Sequence, residues 1–570
     1  MWPNSKWGKI IFFGILALLF VIGLILLIPM PLAIFPAILR GQLQLGTDES
    51  GQYATLTNYW WKLPSHNYYD YVLWNITNPD SVNFMGAKAS VQAVGPYSYK
   101  ESEIKDYINW KDNGEKVYYR NEKTWIYSQE TSCEKCDWED SLYLPNLVFM
   151  TNVKYLEEYN VQGLKRLVMD ASLLLLGEYP IKKVTQRGIL FESYEDPMIN
   201  LLNSGLMSVI LNITGPNLFG FPIPDIKAVG YFPMYNHTSD EDYVSWTGKD
   251  KSEKLNQISQ WSNSTQLPFW NTSYANNLED KVFDGTFNGA FIKDDEPMKQ
   301  FQSFACRHFE LVSTEDVTVS DIPGRRWKMI DDNMNPYVDR MKAYEYQNYE
   351  KANYFPDWPC GSKQLRNDSS CGTIDCHDHL NFCSTCCENE NKINGTYKLP
   401  NGFMPLACFP GLNKKLPFHA SLSSHHFVLS PKEVSDSIIG LSPNYELHNL
   451  GHFEIQPTVG STLSAVFRIQ FNIPIWNSKT VTQLWQFRST HFPCFSLSVN
   501  AHLKDYAYNF IRLATKTAPL IILILGIILV ALPLLILAIW FIFKKVYNDK
   551  QKKSLEEHDP VSHEEAYEEN

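Results

Sequence analysis

Two long apolar runs, one near each end of the chain, dominate its hydrophobic pattern. Ile10–Ile28 has 19 residues and Ala518–Phe543 has 26, and neither run contains a charged side chain. An α-helix rises about 1.5 Å per residue, so each run is long enough to cross a hydrocarbon core of about 30 Å. A buried core helix is the alternative, but core helices rarely run this far without a polar residue. The pattern predicts transmembrane helices at residues 10–35 and 518–543.

Lysines beside these runs predict their orientation. Lys6 and Lys9 precede the first run. Five lysines follow the second: Lys544, Lys545, Lys550, Lys552 and Lys553. By the positive-inside rule both chain ends are cytoplasmic, as tails of residues 1–9 and 544–570. Residues 36–517 then form one exoplasmic part.

A cleaved signal peptide is the alternative for the first run. Its apolar stretch is longer than the usual core of a signal peptide. Pro29, Pro31 and Pro36 follow it, instead of a clear small-residue cleavage site. We therefore expect an uncleaved signal anchor.

Between the two runs the periodicity changes several times. Short segments rich in Tyr, Val and Ile predict strands in residues 53–130, 225–345 and 418–495. The clearest are VLWNIT, SVQAV, YSYKE, KVYYRNEKTWIYS, FVLS, HFEIQPTV, STLSAVFRIQFNIPIW and VTQLWQF. Leu and Met at helical spacing in LKRLVMDASLLLLGE and MINLLNSGLMSVILNI predict a helical insert over residues 146–211. Residues 360–408 are rich in Cys, Asn, Gly and Ser and predict an irregular, cross-linked segment. One large α+β domain is the simplest prediction.

Charge narrows the choice of partners. The formal net charge is -12, and seven acidic residues fall in the last fifteen positions, which contain no Lys or Arg. Nucleic-acid binding needs a basic footprint, so nucleic acid is excluded as the main partner. An aromatic content of 14% also suits a β-rich structure.

Glycosylation sequons agree with the predicted topology. All Asn-X-Ser/Thr sequons lie between the two apolar runs: Asn75, Asn212, Asn236, Asn263, Asn271, Asn367 and Asn394. None of the 11 cysteines lies in an apolar run or a tail. Both patterns predict an oxidising compartment for the middle of the chain.

The spacing of the cysteines does not by itself determine how they pair. Cys133 and Cys136 form CEKC, which predicts a local disulfide, with a redox pair as the alternative. The run CHDHLNFCSTCC could instead ligate zinc through His377, His379 and neighbouring thiolates, but an oxidising compartment favours disulfides. Pairing is undetermined among Cys360, Cys371, Cys376, Cys383, Cys386, Cys387 and Cys494. An odd count leaves a thiol unpaired or paired between chains, so a homo-oligomer stays among the alternatives.

No sequence motif indicates an enzyme. The chain has no GxSxG elbow, HExxH, P-loop or GxGxxG. We expect no catalytic residue, no cofactor and no functional metal, and interpret His425 and His426 as structural residues of a strand.

Six segments resemble the class B scavenger receptor family in order and spacing. They are Val72–Glu101 (VLWNITNPDSVNFMGAKASVQAVGPYSYKE), SYEDP at Ser193–Pro197, Ala228–Asp250 (AVGYFPMYNHTSDEDYVSWTGKD), Ala305–Trp327 (ACRHFELVSTEDVTVSDIPGRRW), LPFHASLSSHHFVLSP at Leu416–Pro431 and Gly440–Ile473 (GLSPNYELHNLGHFEIQPTVGSTLSAVFRIQFNI). The pieces NxTNP and GPYxYxE are the most specific. The resemblance extends over essentially the whole chain.

This resemblance implies a fold and a function. The expected fold is a large ectodomain with a distorted antiparallel β-barrel and an apical helical bundle, held by terminal transmembrane helices. A tunnel through such a domain carries apolar ligands towards the bilayer. The expected partners are lipids, lipoproteins or particles bearing anionic phospholipid. The alternative is a protein-binding receptor that recognises cells, microbes or matrix, or escorts a luminal protein.

The resemblance also implies particular residues. Capture is expected at the helical bundle, where the basic candidates are Lys165, Arg166, Lys182, Lys183 and Arg187. A solvated helix face is the alternative interpretation of these charges. Some family members carry a ligand-contacting lysine at a position that falls close to Glu178 in this chain. Because this chain has glutamate there, we do not assign that role to it. The family pattern pairs Cys306 with Cys408.

The C-terminal tail bears on location. It has no acidic dileucine like that of a lysosomal family member, and no cysteine for palmitoylation. We expect a plasma-membrane protein with two spans, with the endosomal or lysosomal membrane as the alternative.

Overall fold

A computed structural model describes residues 5–215, 218, 221, 228–345, 354–355, 392–393, 396–397, 399–408 and 416–556. The chain divides into two compact units. One unit comprises residues 1–42 and 509–570, and the other comprises residues 43–508.

Helices and strands alternate along the described residues. The helices are α1 (Lys6–Leu27), α2 (Phe35–Gln42), α3 (Thr55–Trp61), α4 (Pro79–Met85), α5 (Leu147–Glu158), α6 (Gly163–Leu175), α7 (Pro197–Leu202), α8 (Gly205–Thr214), α9 (Ser273–Asn276), α10 (Lys432–Asp436), α11 (Tyr445–His448), α12 (Asp505–Arg512) and α13 (Ala518–Glu556). The strands are β1 (Ser65–Ile76), β2 (Val91–Lys111), β3 (Lys116–Tyr127), β4 (Ser141–Pro145), β5 (Ile181–Thr185), β6 (Thr238–Trp246), β7 (Ile258–Trp261), β8 (Val282–Phe283), β9 (Met298–Gln302), β10 (Arg307–Val319), β11 (Ile322–Met329), β12 (Lys392–Ile393), β13 (Thr396–Tyr397), β14 (Phe403–Pro405), β15 (Ser421–Ser423), β16 (Gly451–Gln456), β17 (Ser461–Ile475) and β18 (Thr490–Leu503).

The smaller unit is built on the two apolar helices α1 and α13. Both are long and apolar enough to cross a membrane. They pack closely where glycine replaces a side chain. A Cβ on Gly23 would lie 2.9 Å from the carbonyl carbon of Leu529, and one on Gly526 would lie 2.8 Å from Leu27. Small residues at such contacts let helix backbones approach within a bilayer.

The larger unit is organised around one nearly closed sheet. Its strands follow the order β7-β6-β3-β2-β1-β18-β17-β16-β11-β10-β9-β8, and neighbours are antiparallel except β8 and β9. An isolated bridge between Gln257, beside β7, and Phe283 of β8 brings the two edges of the sheet together. A sheet closed in this way leaves few unpaired edges. The expected antiparallel β-barrel is therefore confirmed.

Residue alternation explains the face on which the core forms. Phe471 of β17 lies opposite Phe495 of β18, and Ile469 lies opposite Leu497. Because side chains alternate along a strand, these four belong to one face. All four are buried.

Four helices, α5 to α8, form what we call the helical cap, residues 147–214. Side chains cap three of them: Asn146 accepts hydrogen bonds from the first turn of α5, Asp196 does the same for α7, and Ser204 accepts one from Met207 of α8. Helix α5 is largely buried, and its apolar residues share one core cluster with the barrel. The short pair β4 and β5 interrupts the helical segment.

Two predicted strands are wrong. FVLS lies in a turn that begins with the short 3-10 helix His425–Phe427, where His426 and Phe427 adopt φ of 52° and 57°. VTQLWQF contains the 3-10 helix Thr482–Leu484. Phe427, Val481, Leu484 and Phe487 are buried by packing of these turns and not by strand pairing. In addition, helix α13 continues beyond Phe543 into the predicted tail.

Candidate functional site

An apolar cavity lies against the inner face of the barrel. Its lining comes from strands β1, β3, β15, β17 and β18 and from four neighbouring segments between strands. The aromatic lining residues are Tyr69, Tyr71, Trp125, Phe191, Phe232, Tyr235, Phe304, Phe471 and Phe495. Its volume is about 60 Å³, well below the ~300–1,000 Å³ of ordinary ligand pockets. Ring movement is therefore needed before a long apolar molecule could enter.

Stacked rings form the walls of this cavity. Phe471 and Phe495 are parallel, with centroids 5.1 Å apart. Trp125 stacks on Tyr235 at 5.3 Å, and its other neighbour Phe191 lies at 5.8 Å. Such contacts contribute packing energy without fixed polar partners, so the walls suit an apolar ligand.

One wall of the cavity carries charge. Glu101, Glu103 and Lys105 alternate along β2, and Lys123 on β3 lies opposite Glu103. We call these four residues the ion cluster. The Nζ of Lys123 lies 3.8 Å from Glu101 and 3.6 Å from Glu103, and Lys105 donates to Glu103 at 2.7 Å.

Other polar and aromatic groups hold the ion cluster in place. Asn67 donates to Glu101 at 2.9 Å, and the hydroxyl of Tyr69 donates to it at 3.2 Å. The fully buried Lys105 lies 5.4 Å from the ring of Trp60 and 5.6 Å from that of Tyr119. The cluster is therefore rigidly placed, as buried charges require.

The protonation states follow from these distances. Burial opposes the charge on Lys123, but attraction from Glu103 and other neighbours outweighs it, so the pKa of Lys123 lies well above its ordinary value. Burial opposes ionisation of Glu103 too, yet Lys105 and Lys123 hold its pKa below the ordinary value. Burial raises the pKa of Glu101, against the pull of Lys123.

The basic residues expected to capture ligand occupy different settings in the cap. Lys165 is exposed on α6, and Lys183 is exposed on β5 with its Nζ 6.0 Å from the ring of Tyr143. Arg166 donates to the hydroxyl of Thr480 at 2.5 Å. Arg187 pairs with Glu139 at 3.0 Å.

Lys182 does not belong with these surface cations. Its Nζ lies 3.0 Å from Glu178 and 2.6 Å from Asp196, and both carboxylates are buried. Glu178 also accepts a hydrogen bond from Asn146 at 2.6 Å. Lys182 thus bridges two buried carboxylates inside the cap and does not act as a surface cation.

Helix α6 displays an apolar stripe to solvent. Its residues recur at helical spacing: Leu164, Leu167, Val168, Leu174 and Leu175. Leu164 is 75% exposed and Leu175 is 86% exposed. A cleft of about 920 Å³ borders the stripe, and Arg166, Leu167 and Trp485 belong to its walls. Exposed apolar surface beside a cleft is typical of an interaction site.

The sequons differ in exposure. Asn212, Asn263 and Asn271 are exposed. The side-chain oxygen of Asn75 accepts a hydrogen bond from the backbone of Tyr143, and Asn236 bonds the backbone of Trp125. The two other sequons, at Asn367 and Asn394, lie outside the described residues.

Two disulfides are present in the described part of the chain. Cys133 joins Cys136, and Cys306 joins Cys408, the pairing that the family pattern implied. Cys494 is a buried free thiol. The six cysteines from Cys360 to Cys387, and with them His377 and His379, lie outside the described residues.

The turn histidines have structural partners. His425 Nε2 lies 2.9 Å from the carbonyl of Leu497 and 3.1 Å from that of Ile469, so its N–H donates to strands β18 and β17. His426 stacks on His448 at 4.0 Å. Both lie in a turn and not in the predicted strand.

Sequence reasoning missed the ion cluster. Glu103 and Lys105 have nearly inaccessible side chains, whereas Ile104 between them is 37% exposed and Ile126 on β3 is 63% exposed. Charged residues that alternate with apolar residues ordinarily lie on the solvent face of a strand. In β2 the charged side chains of Glu103 and Lys105 are buried and Ile104 is exposed instead. The signal was a Glu-x-Glu-x-Lys spacing beside a second strand with a lysine.

Comparison with known proteins shows which family and which relatives this chain resembles. The CD36 family model matches residues 12–544. An uncharacterized protein of Caenorhabditis elegans is 29% identical over 538 residues, covering 94% of this chain and 96% of the relative. Human lysosome membrane protein 2 is 23% identical, covering 82% of this chain and 83% of the relative. Bovine scavenger receptor class B member 1 is 21% identical, covering 94% of this chain and 92% of the relative.

The family model spans both apolar helices and the barrel between them. The relatives named above include a scavenger receptor of class B, in agreement with the resemblance found in the sequence. This chain therefore belongs to the CD36 family.

Proposed function

We propose that this protein is a receptor that takes lipid from lipoproteins or lipid-bearing particles and transfers it to the membrane through its barrel. The observation that carries the proposal is the cavity walled by stacked aromatic rings inside the sheet. Membership of the CD36 family and two helices able to span a bilayer support it.

The physical advantage of such a route lies in the hydrophobic effect. Moving an apolar chain through water costs about 0.8 kcal/mol for each CH₂ group. An apolar passage removes that cost for as long as the chain stays inside. Because the cavity is small, we propose that the rings of Phe191 and Phe232 rotate to admit the chain.

Capture is assigned to the cap surface. Lys165, Arg166, Lys183 and Arg187 supply positive charge for anionic headgroups or particle surfaces. The apolar stripe on α6 lies among the same residues, and it would receive the acyl chains exposed at a particle surface.

Blocking the cavity tests the proposal. Leu422 is buried and lines the cavity, so Leu422→Trp fills it. Leu447→Trp is the matched control, because Leu447 is 62% exposed on α11. Cells expressing each full-length variant are given fluorescent cholesteryl ester in lipoprotein, and uptake is normalised to surface receptor.

We expect uptake above untransfected cells for the natural chain and the control, and loss of it in Leu422→Trp. Equal uptake by all three surface-expressed variants would contradict transfer through the cavity.

A second candidate function is a protein-binding receptor, and the exposed stripe on α6 favours it. A docking surface needs the stripe and not the cavity. Leu175→Glu would then abolish binding of a protein ligand, and Leu422→Trp would leave that binding intact.

We also propose that both chain ends are cytoplasmic and that the protein reaches the plasma membrane. Relatives named for the lysosome keep the endosomal or lysosomal membrane as the alternative. Surface biotinylation of tagged full-length protein, with antibody access to each tag before and after permeabilisation, separates these arrangements.

A further inference from the structure

The ion cluster carries no net positive charge. It contains the carboxylates of Glu101 and Glu103 and the ammonium groups of Lys105 and Lys123. A further buried carboxylate, Asp240, also acts electrostatically on Lys123. The two carboxylates of the ion cluster therefore balance its two ammonium groups, and Asp240 adds a further negative group nearby.

Lys123 is the one cation of the ion cluster that lines the cavity. Two carboxylates already lie within 4 Å of its Nζ. A ligand carboxylate would have to approach Lys123 beside Glu101 and Glu103, in a site partly removed from water. Like charges at such distances repel strongly when they are poorly solvated.

An uncharged headgroup would not be repelled by these two carboxylates. The carboxylate of Glu101 lies behind the lining, where it accepts hydrogen bonds from Asn67 and from the lining residue Tyr69. The indole Nε1 of Trp125, another lining residue, is buried and has no acceptor among the described residues. A hydroxyl can accept from this indole N–H and carries no charge for the two carboxylates to repel.

We propose that the cavity selects uncharged amphiphiles bearing a hydroxyl, such as long-chain alcohols or sterols, over anionic ones, and that Glu101 sets this preference by neutralising Lys123. The proposal rests on the lipid-transfer function proposed above. It makes Glu101 a specificity-determining residue.

The test uses full-length protein in lipid nanodiscs and two photoreactive probes of equal chain length. One probe is a long-chain alcohol, and the other is an alkyl sulfonate, which stays anionic at every working pH. Mildly alkaline buffer keeps Glu101 ionised. Labelling of cavity peptides is measured by mass spectrometry and normalised to labelling of the scaffold protein, which corrects for partition into the bilayer.

Two variants shift the balance of charge in opposite directions. Glu101→Gln removes a negative charge next to Lys123, and Lys123→Met removes the positive charge. The matched control is Glu122→Gln, because Glu122 is exposed on β3, the strand that carries Lys123. Comparing the sulfonate-to-alcohol ratio between variants cancels the difference in headgroup size.

We expect the alcohol to label the natural cavity more strongly than the sulfonate. Glu101→Gln should raise the sulfonate-to-alcohol ratio about tenfold, equivalent to about 1.4 kcal/mol, and Lys123→Met should lower it. Glu122→Gln should leave the ratio unchanged.

Other results overturn the proposal in distinguishable ways. Cavity labelling by both probes with a ratio that does not respond to Glu101→Gln refutes the selectivity and leaves lipid transfer standing. Absence of cavity labelling by either probe, in protein whose thermal melting is normal, refutes the lipid-transfer function and the selectivity together.

Discussion

Single side chains in this protein hold positions that their sequence context does not indicate. Asn236 belongs to a sequon, but its Nδ2 donates to the carbonyl of Trp125 at 2.9 Å and its Oδ1 accepts from the amide of Trp125 at 2.8 Å. His425 lies among apolar residues and yet ties two strands together.

Glycan occupancy should differ between sequons. A glycan on Asn236 would disturb its pair of hydrogen bonds, whereas Asn263 and Asn271 are exposed. We expect glycans at Asn263 and Asn271 and none at Asn236. Glycopeptide mass spectrometry after enzymatic deglycosylation in heavy-oxygen water measures each site, and a fully glycosylated Asn236 would be inconsistent with this geometry.

Acid should destabilise the fold through His425. Burial lowers the pKa of His425 to about 3, whereas the unfolded value is about 6.5. Its contribution to stability is therefore complete above about pH 6.5 and is lost as the pH falls towards 3, by about 2 kcal/mol at pH 5.

A variant isolates this effect. His425→Gln keeps an amide donor for the two carbonyls and cannot bind a proton, so its melting temperature should fall less between about pH 7 and pH 5. His237→Gln, at an exposed position, serves as the control. Parallel pH profiles for His425→Gln and the natural chain would show that His425 is not responsible.

At the scale of elements, the contact between α1 and α13 depends on glycine. A Cβ on Gly23 would lie 2.9 Å from the backbone of Leu529, whereas one on Gly14 would meet nothing within 4 Å. Phe13 and Trp540 add an edge-to-face ring contact at 5.1 Å. The two helices therefore have one close face, which includes Gly23 and excludes Gly14.

Gly23→Leu should separate these helices. The larger side chain overpacks the contact, at a cost of about 1–3 kcal/mol. We expect a lower melting temperature for purified full-length protein in detergent and a lower yield of disulfide cross-linking between cysteines introduced into α1 and α13. Gly14→Leu should change neither quantity, and equal effects of the two substitutions would contradict a specific helix contact.

Elements with a single consistent pattern were predictable from sequence, and those with competing patterns were not. The apolar runs, the long strands β1, β2, β3 and β17, and the helices of the cap all carry one clear period. VTQLWQF has β-branched and aromatic residues like a strand but folds as a turn, which composition cannot distinguish. In β2 the charged face is turned inward, so the strand was predicted and its role was not.

The candidate site was less predictable than the fold because it depends on distant contacts. Nothing near Lys182 in sequence indicates that Asp196 would neutralise it. The cavity joins Trp125 with Phe495, residues hundreds of positions apart whose proximity follows only from the strand order.

For the whole molecule, the disulfide between Cys306 and Cys408 is the main covalent constraint in the described part. The two cysteines are 102 positions apart, whereas Cys133 and Cys136 are 3 apart. Loop-closure entropy grows with loop size. Replacing both Cys306 and Cys408 by Ser should cost about 4–5 kcal/mol, against about 2 kcal/mol for the Cys133 and Cys136 pair.

Thermal melting and export to the cell surface measure this difference. We expect the Cys306→Ser, Cys408→Ser double variant to be retained inside the cell, and the Cys133→Ser, Cys136→Ser double variant to be exported. Export of the first at normal levels would show that noncovalent packing alone holds this part of the barrel.

The strand order also has a consequence for synthesis. Strand β1 begins at Ser65 and pairs with β18, which ends at Leu503, so the first and last strands of the barrel are neighbours. During translation β1 can pair with β2 early, but its other edge must wait until β18, more than 400 residues later, has been made. Until then the nascent barrel carries an open seam, which chaperones would have to shield. The ribosome must release β18 before the barrel can close, so the last strand made completes the barrel.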